Sequence, residues 1–359
     1  MQHFSFPDIG QFRNTIRSVI HKTRYRGVDA LGEPQYDNTR PLPVIKYRGT
    51  VKLHGTNAGI AMDLNTGEVW VQSRENIITP EADNYGFAQF VALLDTKRLF
   101  GMLPVTDARG SPSAITDDGN AEVTDADLDV AVIYGEWCGG SIQKTVALNQ
   151  LQKMFVVLAV KYRGLWLPED VVKTIKLPEH RVFNIYDYPT YELEIDFEHP
   201  ELVQNTLIAI CTAIEDECPV GKAFGVSGVG EGTVWKPADT AQYGSSKFWF
   251  KVKGEKHSVS KVKTLAAVDV ERVASIAEFV DKVVTENRLN QGLEFLKRSG
   301  FTPLEDKHVG DFIRWMSNDI IKEEADTMKA SGFTWKDVNT AAIKKTRDWF
   351  FKNAPLGAP

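Results

Sequence analysis

One lysine, Lys52, lies between two apolar runs in a setting that can give its amine a chemical role. The run 44–51 precedes it, and Gly55 follows it before a second run at 58–62. A lysine between two strands can point its amine into a pocket, and glycine lets the backbone approach a ligand closely. An amine that is buried or crowded by cations loses its proton more easily and becomes a nucleophile. A solvated turn lysine is the alternative when Lys52 is considered alone.

Four further motifs follow Lys52 and carry the charged residues that phosphate chemistry needs. They are Ser73-Arg74, Tyr134-Gly135-Glu136, Glu231-Gly232-Thr233-Val234-Trp235-Lys236 and Lys251-Val252-Lys253. Lys251 and Lys253 are two residues apart, so on a strand their side chains point the same way. They can clamp a phosphate and, as like charges, lower the pKa of Lys52, although a solvated edge strand is the simpler alternative. Glu136 and Glu231 can position a magnesium ion or a ribose, because magnesium prefers one or two carboxylates together with phosphates and waters.

The five motifs together resemble the covalent nucleotidyltransferase superfamily of ligases and capping enzymes. The closest resemblance is to the RNA ligase 2-type phage and editing ligases, whose nucleophile motif Lys-x-His-Gly-Thr-Asn matches 52–57. The resemblance covers 44–258 by motif and extends by architecture to the C-terminal part. DNA ligases and capping enzymes have aspartate where this chain has His54, and this difference favours RNA. An ATP-dependent DNA ligase or another polynucleotide nucleotidyltransferase is the alternative, although DNA ligases usually append an all-β barrel.

This resemblance implies an ATP-dependent RNA ligase that works through three phosphoryl transfers, in RNA repair. Lys52 would attack the α-phosphate of ATP and form a lysine-adenylate, the AMP would pass to a 5′-phosphate end, and a 3′-hydroxyl would then displace it. The implied cofactors are ATP and Mg²⁺ or Mn²⁺. The implied partner is nicked or structured RNA with 5′-phosphate and 3′-hydroxyl ends. A binding module that has lost catalysis is disfavoured, because every reactive position is filled.

The resemblance also assigns roles to individual residues. The catalytic residues would be Lys52, Glu231, Lys251 and Lys253. The nucleotide would be contacted by Lys52, His54, Asn57, Arg74, Glu136, Phe155, Glu231, Lys236, Lys251 and Lys253, and Glu231 would also lie at the metal ion. Phe155 occupies the position at which the family stacks an aromatic ring on adenine, but a core phenylalanine on an apolar strand explains it equally well. An ordinary turn histidine is the alternative for His54, and the division of the ribose and metal roles between Glu136 and Glu231 stays open.

Composition indicates a globular chain with room for two domains. The 359 residues are 43% hydrophobic and 25% charged, and the net charge of −6 means that binding to nucleic acid needs a local basic surface. The three cysteines lack metal-ligand spacing and indicate a reducing compartment. The apolar runs are too short for a membrane span and the N-terminus lacks a signal-peptide pattern. We therefore expect a soluble monomer in the cytoplasm, or in the host cytoplasm if a phage encodes it.

Apolar periodicity and the resemblance together predict an α+β fold. An adenylyltransferase domain of antiparallel sheets with flanking helices is expected over 1–258, and an all-α domain over 259–359. Helices are predicted over 8–20, 84–101, 200–217, 265–287, 290–299, 307–331 and 335–352. Strands are predicted over 44–51, 58–62, 69–74, 129–136, 154–160, 191–197, 230–237 and 247–253. The segment 29–43 is predicted to be a loop, and 105–128 an exposed acidic loop.

A basic extension precedes the Lys52 motif. Its cations are Arg13, Arg17, Lys22, Arg24 and Arg26, and Asp8 is the only acidic residue before Asp29. The simpler interpretation is a solvated helix face. The alternative is an edge of the protein that contacts phosphate groups.

Overall fold

The computed structural model describes residues 1–104, 129–140, 142–143, 146–254 and 275–354. The chain divides into two compact units, Met1–Gly254 and Glu255–Pro359. The domain boundary predicted between residues 258 and 259 and the acidic loop predicted over 105–128 lie outside the described residues. In the described part of the chain, no helix is long and apolar enough to cross a membrane.

A five-stranded sheet in the first unit carries Lys52. Its strands, in the order in which they lie side by side, are β1 (Gly10–Gln11), β14 (Phe250–Lys253), β13 (Gly232–Pro237), β4 (Val44–Lys52) and β12 (Thr190–Asp196). All neighbours are antiparallel except β1 and β14, which run parallel. The first half of β4 alternates between exposed and buried residues, because successive side chains point to opposite faces of a strand.

A second sheet carries the Glu136 motif. Its strands, in spatial order, are β10 (Leu165–Trp166), β9 (Met154–Tyr162), β8 (Val130–Cys138), β5 (Thr56–Asp63), β6 (Val69–Ser73) and β7 (Ile77–Ile78), and β11 (Val182–Asn184) pairs with β9 in parallel. A hairpin joins β5 and β6, and Gly67 at its turn has a φ of 73°. β8 and most of β9 are buried, so both faces of this sheet are covered.

Helices cover the sheets of the first unit. They are α1 (Phe12–Arg24), α2 (Phe87–Ala92), α3 (Thr96–Phe100), α4 (Glu169–Val172), α5 (Gln204–Asp216), α6 (Pro219–Ala223) and α7 (Thr240–Tyr243). Residues of α2, α3 and α4 form one core with the face of the second sheet that bears Trp137 and Phe155. A separate core joins Val51 and Leu53, the sequence neighbours of Lys52, to Val156 on the opposite face of that sheet. The strand that carries Lys52 therefore packs against a core that the two sheets share.

Three predicted elements of the first unit differ from the structure. The helix predicted over 84–101 is two short helices, because the Asp95 side chain accepts a hydrogen bond from the Arg98 backbone and starts α3 anew. The predicted loop 29–43 contains β3 (Pro34–Tyr36), which pairs with β2 (Tyr25–Val28). The strand predicted over 247–253 is shorter, because a 3₁₀ turn at Ser246–Phe248 precedes β14.

The described part of the second unit is helical. Its helices are α8 (Ile276–Val283), α9 (Glu286–Arg298), α10 (Val309–Ala330) and α11 (Trp335–Asn353). Their inward faces form one apolar core, and the predicted start of the last helix is confirmed by the capping box between Thr334 and Asp337. The fully buried Arg288 is paired with Asp319 at 2.8 Å and with Glu324 at 3.2 Å. That network fixes the packing of α9 against α10.

Candidate active site

Glu231 is the residue at which the predicted nucleophile and the predicted phosphate clamp meet. One oxygen of its carboxylate accepts a hydrogen bond from the Lys52 amine at 2.7 Å and lies 3.1 Å from Nδ1 of His54. The other oxygen lies 3.1 Å from the Lys253 amine. The Glu231 side chain is 2% exposed, whereas Lys52 and Lys253 keep 24% and 19% of their side-chain surface exposed. The structure thus brings four of the predicted residues into one largely buried cluster.

The register of three neighbouring strands creates this cluster. Gly232, the residue after Glu231, is paired with Lys52 of β4 on one side and with Lys253 of β14 on the other. Gly232 has a φ of 146°, and a Cβ atom at this position would lie 2.1 Å from the carbonyl oxygen of Val252. Only glycine fits so strained and crowded a position. The Glu-Gly pair of the motif is therefore what aligns one carboxylate with two lysines.

Electrostatics keep the carboxylate of this cluster ionised. Burial by itself raises the pKa of Glu231, but the charges of Lys52, Lys253 and His54 outweigh it and hold the pKa well below the usual 4.5. Burial lowers the pKa of Lys253, and the charges of Lys52 and Lys251 act in the same direction while Glu231 opposes them. The cluster therefore gathers more cationic groups than its one carboxylate balances, and this arrangement suits an anionic ligand such as a polyphosphate.

Lys251 lies one pleat away from Lys253 on β14. Its Cα is paired with Val234 on one side and with Gln11 of β1 on the other. Both lysines are partly buried, and the intervening Val252 is buried, so the alternation predicted for the Lys-x-Lys strand is present. Lys251 acts on the cluster through its charge, which is close enough to lower the pKa of Lys253.

The loop after Lys52 is tied to the second sheet by Glu136. The Glu136 carboxylate accepts a hydrogen bond from the backbone N–H of Gly55 at 2.9 Å. In the register of β5 and β8, Glu136 is paired with Asn57, whose side-chain amide donates to the carbonyl of Gly135 at 3.4 Å. A Cβ atom on Gly55 would lie 2.4 Å from the carbonyl oxygen of Trp137, which explains why this position of the motif is glycine.

Arg74 follows β6 at the position next to Asn57, which is itself paired with Glu136. Ala58 is paired with Ser73, so Arg74 is the residue that would follow opposite Asn57 in the same register. The Arg74 side chain is 57% exposed and forms an ion pair with Asp8, which is 51% exposed. Arg74 therefore lies at the end of β6, where its ion pairs are with Asp8 and Glu75 and not with the Lys52 cluster.

The structure corrects the expectation for Phe155. Its side chain is fully buried and packs against Phe87 with the ring centroids 5.1 Å apart, so no face of the ring is open to a base. In the register of β8 and β9, Phe155 is paired with Trp137, whereas Glu136 is paired with Val156. Phe155 is a core residue, which was the alternative interpretation.

The face of β9 that continues from Val156 carries Leu158, which the sequence did not single out. Leu158 is partly buried, and its carbonyl oxygen accepts a hydrogen bond from the Lys236 amine at 2.8 Å. The Lys236 amine also lies 4.4 Å from the centre of the Trp249 ring. Burial lowers the pKa of Lys236 to about 7, although the charge of Glu169 opposes this shift. Lys236 thus links the two sheets beside an apolar surface formed by Leu158.

The donor set indicates how a divalent metal ion could be held. Among the residues that the structure describes, no group of three or more histidine, cysteine, aspartate and glutamate side chains is placed to bind a metal. A protein cage for a metal is therefore not a feature of the described part. A magnesium ion that is bound by the Glu231 carboxylate, by phosphates of a ligand and by waters is compatible with this donor set.

Comparison with solved structures finds resemblances to an RNA ligase of Naegleria gruberi. A complex with PPi has a TM-score of 0.40 and 17% sequence identity, and the match covers 70% of this chain and 56% of that one. A mutant with ATP and Mn has a TM-score of 0.40 and 16% identity, over 70% of this chain and 57% of that one. This chain therefore spans a little over half the length of the Naegleria protein. Comparison with curated proteins finds no match.

The family assignment is carried by the sequence of the first unit. The family model described as RNA ligase matches residues 45–253, which is more than half of the chain. The matched range begins in β4, which ends at Lys52, and ends at Lys253, so it contains every residue of the Glu231 cluster. The chain belongs to the RNA ligase family.

Proposed function

We propose that this protein is an ATP-dependent RNA ligase that joins 3′-hydroxyl and 5′-phosphate ends of RNA through an adenylate on Lys52, in RNA repair. The observation that carries the proposal is the contact of the Lys52 amine with the buried Glu231 carboxylate, beside the amine of Lys253. A nucleophilic amine, an ionised carboxylate and additional cations are the groups that phosphoryl transfer from ATP requires. Membership of the RNA ligase family supports RNA as the substrate.

In the first step, Nζ of Lys52 forms a bond with the α-phosphorus of ATP. The bond from that phosphorus to the bridging α–β oxygen breaks, and pyrophosphate leaves with the electron pair. Before or during the attack the amine must lose a proton, which passes to water because the Lys52 side chain is 24% exposed, while the Glu231 oxygen at 2.7 Å orients the amine. Lys253 and Lys251 stabilise the negative charge that develops on the phosphoryl oxygens.

In the second step, an oxygen of the RNA 5′-phosphate attacks the phosphorus of the lysine-adenylate. The phosphorus–nitrogen bond breaks and Lys52 regains a proton, so the AMP is now joined to the RNA end through a pyrophosphate linkage. In the third step, the 3′-hydroxyl of the other end attacks the phosphorus of the RNA 5′-phosphate, and AMP leaves. Both steps develop charge at phosphoryl oxygens beside the same cations, so one cluster can serve all three.

Glu231 is the residue proposed to hold a Mg²⁺ or Mn²⁺ ion together with the phosphates of ATP. Such an ion supplies charge neutralisation at the phosphoryl oxygens. Both oxygens of Glu231 are in contact with lysine amines, so metal binding and these contacts compete for the same carboxylate. Glu231 thereby connects the metal ion to the protonation of the nucleophile.

Glu136, Asn57 and Arg74, which follow one another across β8, β5 and β6, are proposed to bind the nucleoside. Glu136 is proposed to accept hydrogen bonds from the ribose hydroxyls, and its contact with Gly55, three residues after Lys52, supports this role. Leu158, which packs against the same core as Val156, is proposed to offer the adenine an apolar surface. Arg74, at the end of β6, is proposed to contact the nucleotide or the RNA end once its pair with Asp8 is exchanged for a phosphate.

The domains are proposed to divide the work. Residues 1–258 would perform the ATP chemistry, and the helices of 259–359 would recognise the broken RNA end. The three cysteines of the chain are free and buried, which suits a reducing compartment, and we place the enzyme in the cytoplasm as a monomer.

A ligation panel tests the proposal. Purified protein, ATP and Mg²⁺ are incubated with nicked duplexes that have RNA or DNA on each side of the break, and with a single-stranded RNA. We expect sealing of ends that carry RNA, with accumulation of AMP-capped RNA when the 3′-hydroxyl is replaced by hydrogen. Sealing of all-DNA nicks at an equal or higher rate would support the DNA ligase alternative instead. Failure to seal any RNA end would contradict the proposal.

A further inference from the structure

The outer face of α1 is cationic and its sequence contains no acidic residue. The inward side chains of the helix, among them Phe12, Ile16 and Val19, are buried. The exposed residues of the helix are Asn14, Arg17, His21 and Lys22, and the run 9–28 that contains them has no aspartate or glutamate. An ordinary surface helix mixes both signs of charge at i and i+4. This face carries one sign only, in a chain whose net charge is −6.

Aromatic rings lie at the C-terminal end of this face. The ring of His21 stacks on Tyr25 with the centroids 4.4 Å apart, and its Nδ1 lies 3.2 Å from the hydroxyl of Tyr36. Tyr36, on β3, is 41% exposed. Exposed rings beside cations are the combination on which single-stranded nucleic acids stack their bases.

The helix starts directly beside the strand that carries the phosphate clamp. Gln11, the last residue before α1, is paired with Lys251 of β14, and the Thr15 hydroxyl donates to the carbonyl of Trp249 at 3.3 Å. Phe12 and Phe250 pack with their ring centroids 4.8 Å apart. At 1.5 Å per residue, Lys22 lies about 16 Å along the helix axis from Gln11. The cationic face thus leads away from the Lys251–Lys253 strand over a distance that a few nucleotides span.

A simpler explanation accounts for some of these cations. Basic residues in the last turn of a helix stabilise its dipole, and Lys22 also lies over the rings of Tyr243 and Phe248. Arg24 is paired with Glu198. The helix dipole does not explain Arg17, which lies in the middle of the helix, or the absence of any acidic residue from the face.

We propose that the outer face of α1, with the exposed ring of Tyr36, binds the backbone of the RNA where the RNA extends away from Lys251 and Lys253 on β14. This inference rests on the proposed function, because it assumes that an RNA end occupies the Glu231 cluster. It adds a surface and two phosphate contacts, from Arg17 and Lys22, to the reactive site. RNA is the partner because the face is polycationic and continuous with a strand that is itself suited to phosphates.

The test is the salt dependence of RNA binding in the full-length protein. A double variant, Arg17→Gln with Lys22→Gln, removes both charges but keeps most of each side-chain stem. Its control is Lys97→Gln with Lys173→Gln, which makes the same change in net charge at two exposed lysines elsewhere on the first unit. The affinity for a 5′-phosphorylated RNA strand is measured by fluorescence anisotropy over a range of salt concentrations, and label transfer from ATP is measured without RNA.

Loss of two phosphate contacts should reduce the slope of log K against log salt by about 1.4 for a single strand. We expect this reduction in the α1 variant, an unchanged slope in the control, and normal formation of the lysine-adenylate in both. An equal slope in the α1 variant and the wild type would overturn the inference. A protein that binds the outer face of α1 would then be the alternative to test. If the wild type forms no lysine-adenylate and shows no salt-dependent binding to RNA, the proposed function fails together with the inference.

Discussion

Replacing Glu231 with glutamine tests whether one buried carboxylate organises the site. The amide of glutamine has the same shape but offers one acceptor oxygen and one donor NH₂ group. In the native protein the two carboxylate oxygens contact the amines of Lys52 and Lys253, and both amines are donors. Glutamine can accept from only one of them, so the other loses its acceptor, and neither retains an opposite charge.

The expected loss of stability follows from the burial of this cluster. Removing one partner of a buried ion pair costs about 3–5 kcal/mol, since the remaining charge is left without compensation. Lys52 and Lys253 keep 24% and 19% of their side-chain surface exposed, so water relieves part of the cost. We therefore expect Glu231→Gln to lower the free energy of unfolding by about 3 kcal/mol at neutral pH.

The pH dependence gives this prediction a second signature. The pKa of Glu231 is held well below 4.5 in the folded protein by Lys52, Lys253 and His54, which outweigh the effect of burial. A carboxyl whose folded pKa is depressed stabilises the protein fully above its unfolded pKa, and this contribution is lost as pH falls through the folded pKa. The difference between wild type and variant should therefore be constant from about pH 8 to 5 and should shrink only below about pH 4.5.

Urea denaturation of both proteins across this pH range measures the difference. Glu68→Gln, at an exposed position, is the matched control and should leave the free energy of unfolding unchanged. A Glu231→Gln protein that is as stable as wild type at neutral pH would refute the reasoning. A difference that disappeared near pH 6 would also refute it, because it would assign the effect to another group.

Three further predictions concern the lysines and the helical unit. Lys253→Ala and Lys251→Ala should each slow label transfer from ATP about 100- to 1,000-fold, or about 3–4 kcal/mol, in protein that remains folded, and near-normal rates in both would make β14 an ordinary exposed edge. Burial lowers the pKa of Lys236 to about 7, so between about pH 7 and 10.5 the folded protein binds fewer protons than the unfolded chain. Wild type should therefore gain stability relative to Lys236→Met as pH rises through this range. A stability difference that does not depend on pH would contradict the lowered pKa. A chain that ends at Gly254 should still form the lysine-adenylate and should seal a pre-adenylylated nick to some extent, but it should fail to transfer AMP to a 5′-phosphate nick. If the shortened chain is folded and seals 5′-phosphate nicks as fast as the full chain, the helices have another role.

The reactive cluster could be predicted from sequence because its residues occur in short motifs with fixed chemistry. Lys52 and Lys253 end their strands, and Glu231 immediately precedes β13, so charge and strand pattern together locate them. What the sequence could not give is the register, which depends on contacts between residues about 180 positions apart. Only the structure shows that Gly232 is paired with both lysines.

Phe155 illustrates where sequence patterns stop being informative. β9 is apolar through 154–160 because both faces of its sheet are covered, so no alternation tells which side chains face the ligand. The shift in register between Tyr134 and Gly135 decides that Glu136 is paired with Val156; without the shift Glu136 would be opposite Val157, on the face that also carries Phe155. An irregularity of this kind leaves no mark in the sequence beyond a single glycine.

The prediction of a single helix over 84–101 was wrong for a local reason. Leu93 and Leu94 continue the apolar pattern, but Asp95 caps a new helix, and the sequence carries the two signals side by side. Leu93 is 88% exposed, so the pattern there does not correspond to burial. The spacing of apolar residues does not show which of their side chains are buried.

The most direct test of the account is the site of AMP attachment. Wild-type protein is incubated with ATP labelled at the α-phosphate, denatured, digested and examined by mass spectrometry, alongside Lys52→Ala, Lys52→Arg and the control Lys97→Ala. We expect AMP on the peptide that contains Lys52 in wild type and in Lys97→Ala, and none in either Lys52 variant, because a guanidinium stays protonated and cannot replace the amine. AMP on another residue of the wild type, or a normal yield of adenylate in Lys52→Arg, would contradict the assignment of Lys52 as the nucleophile.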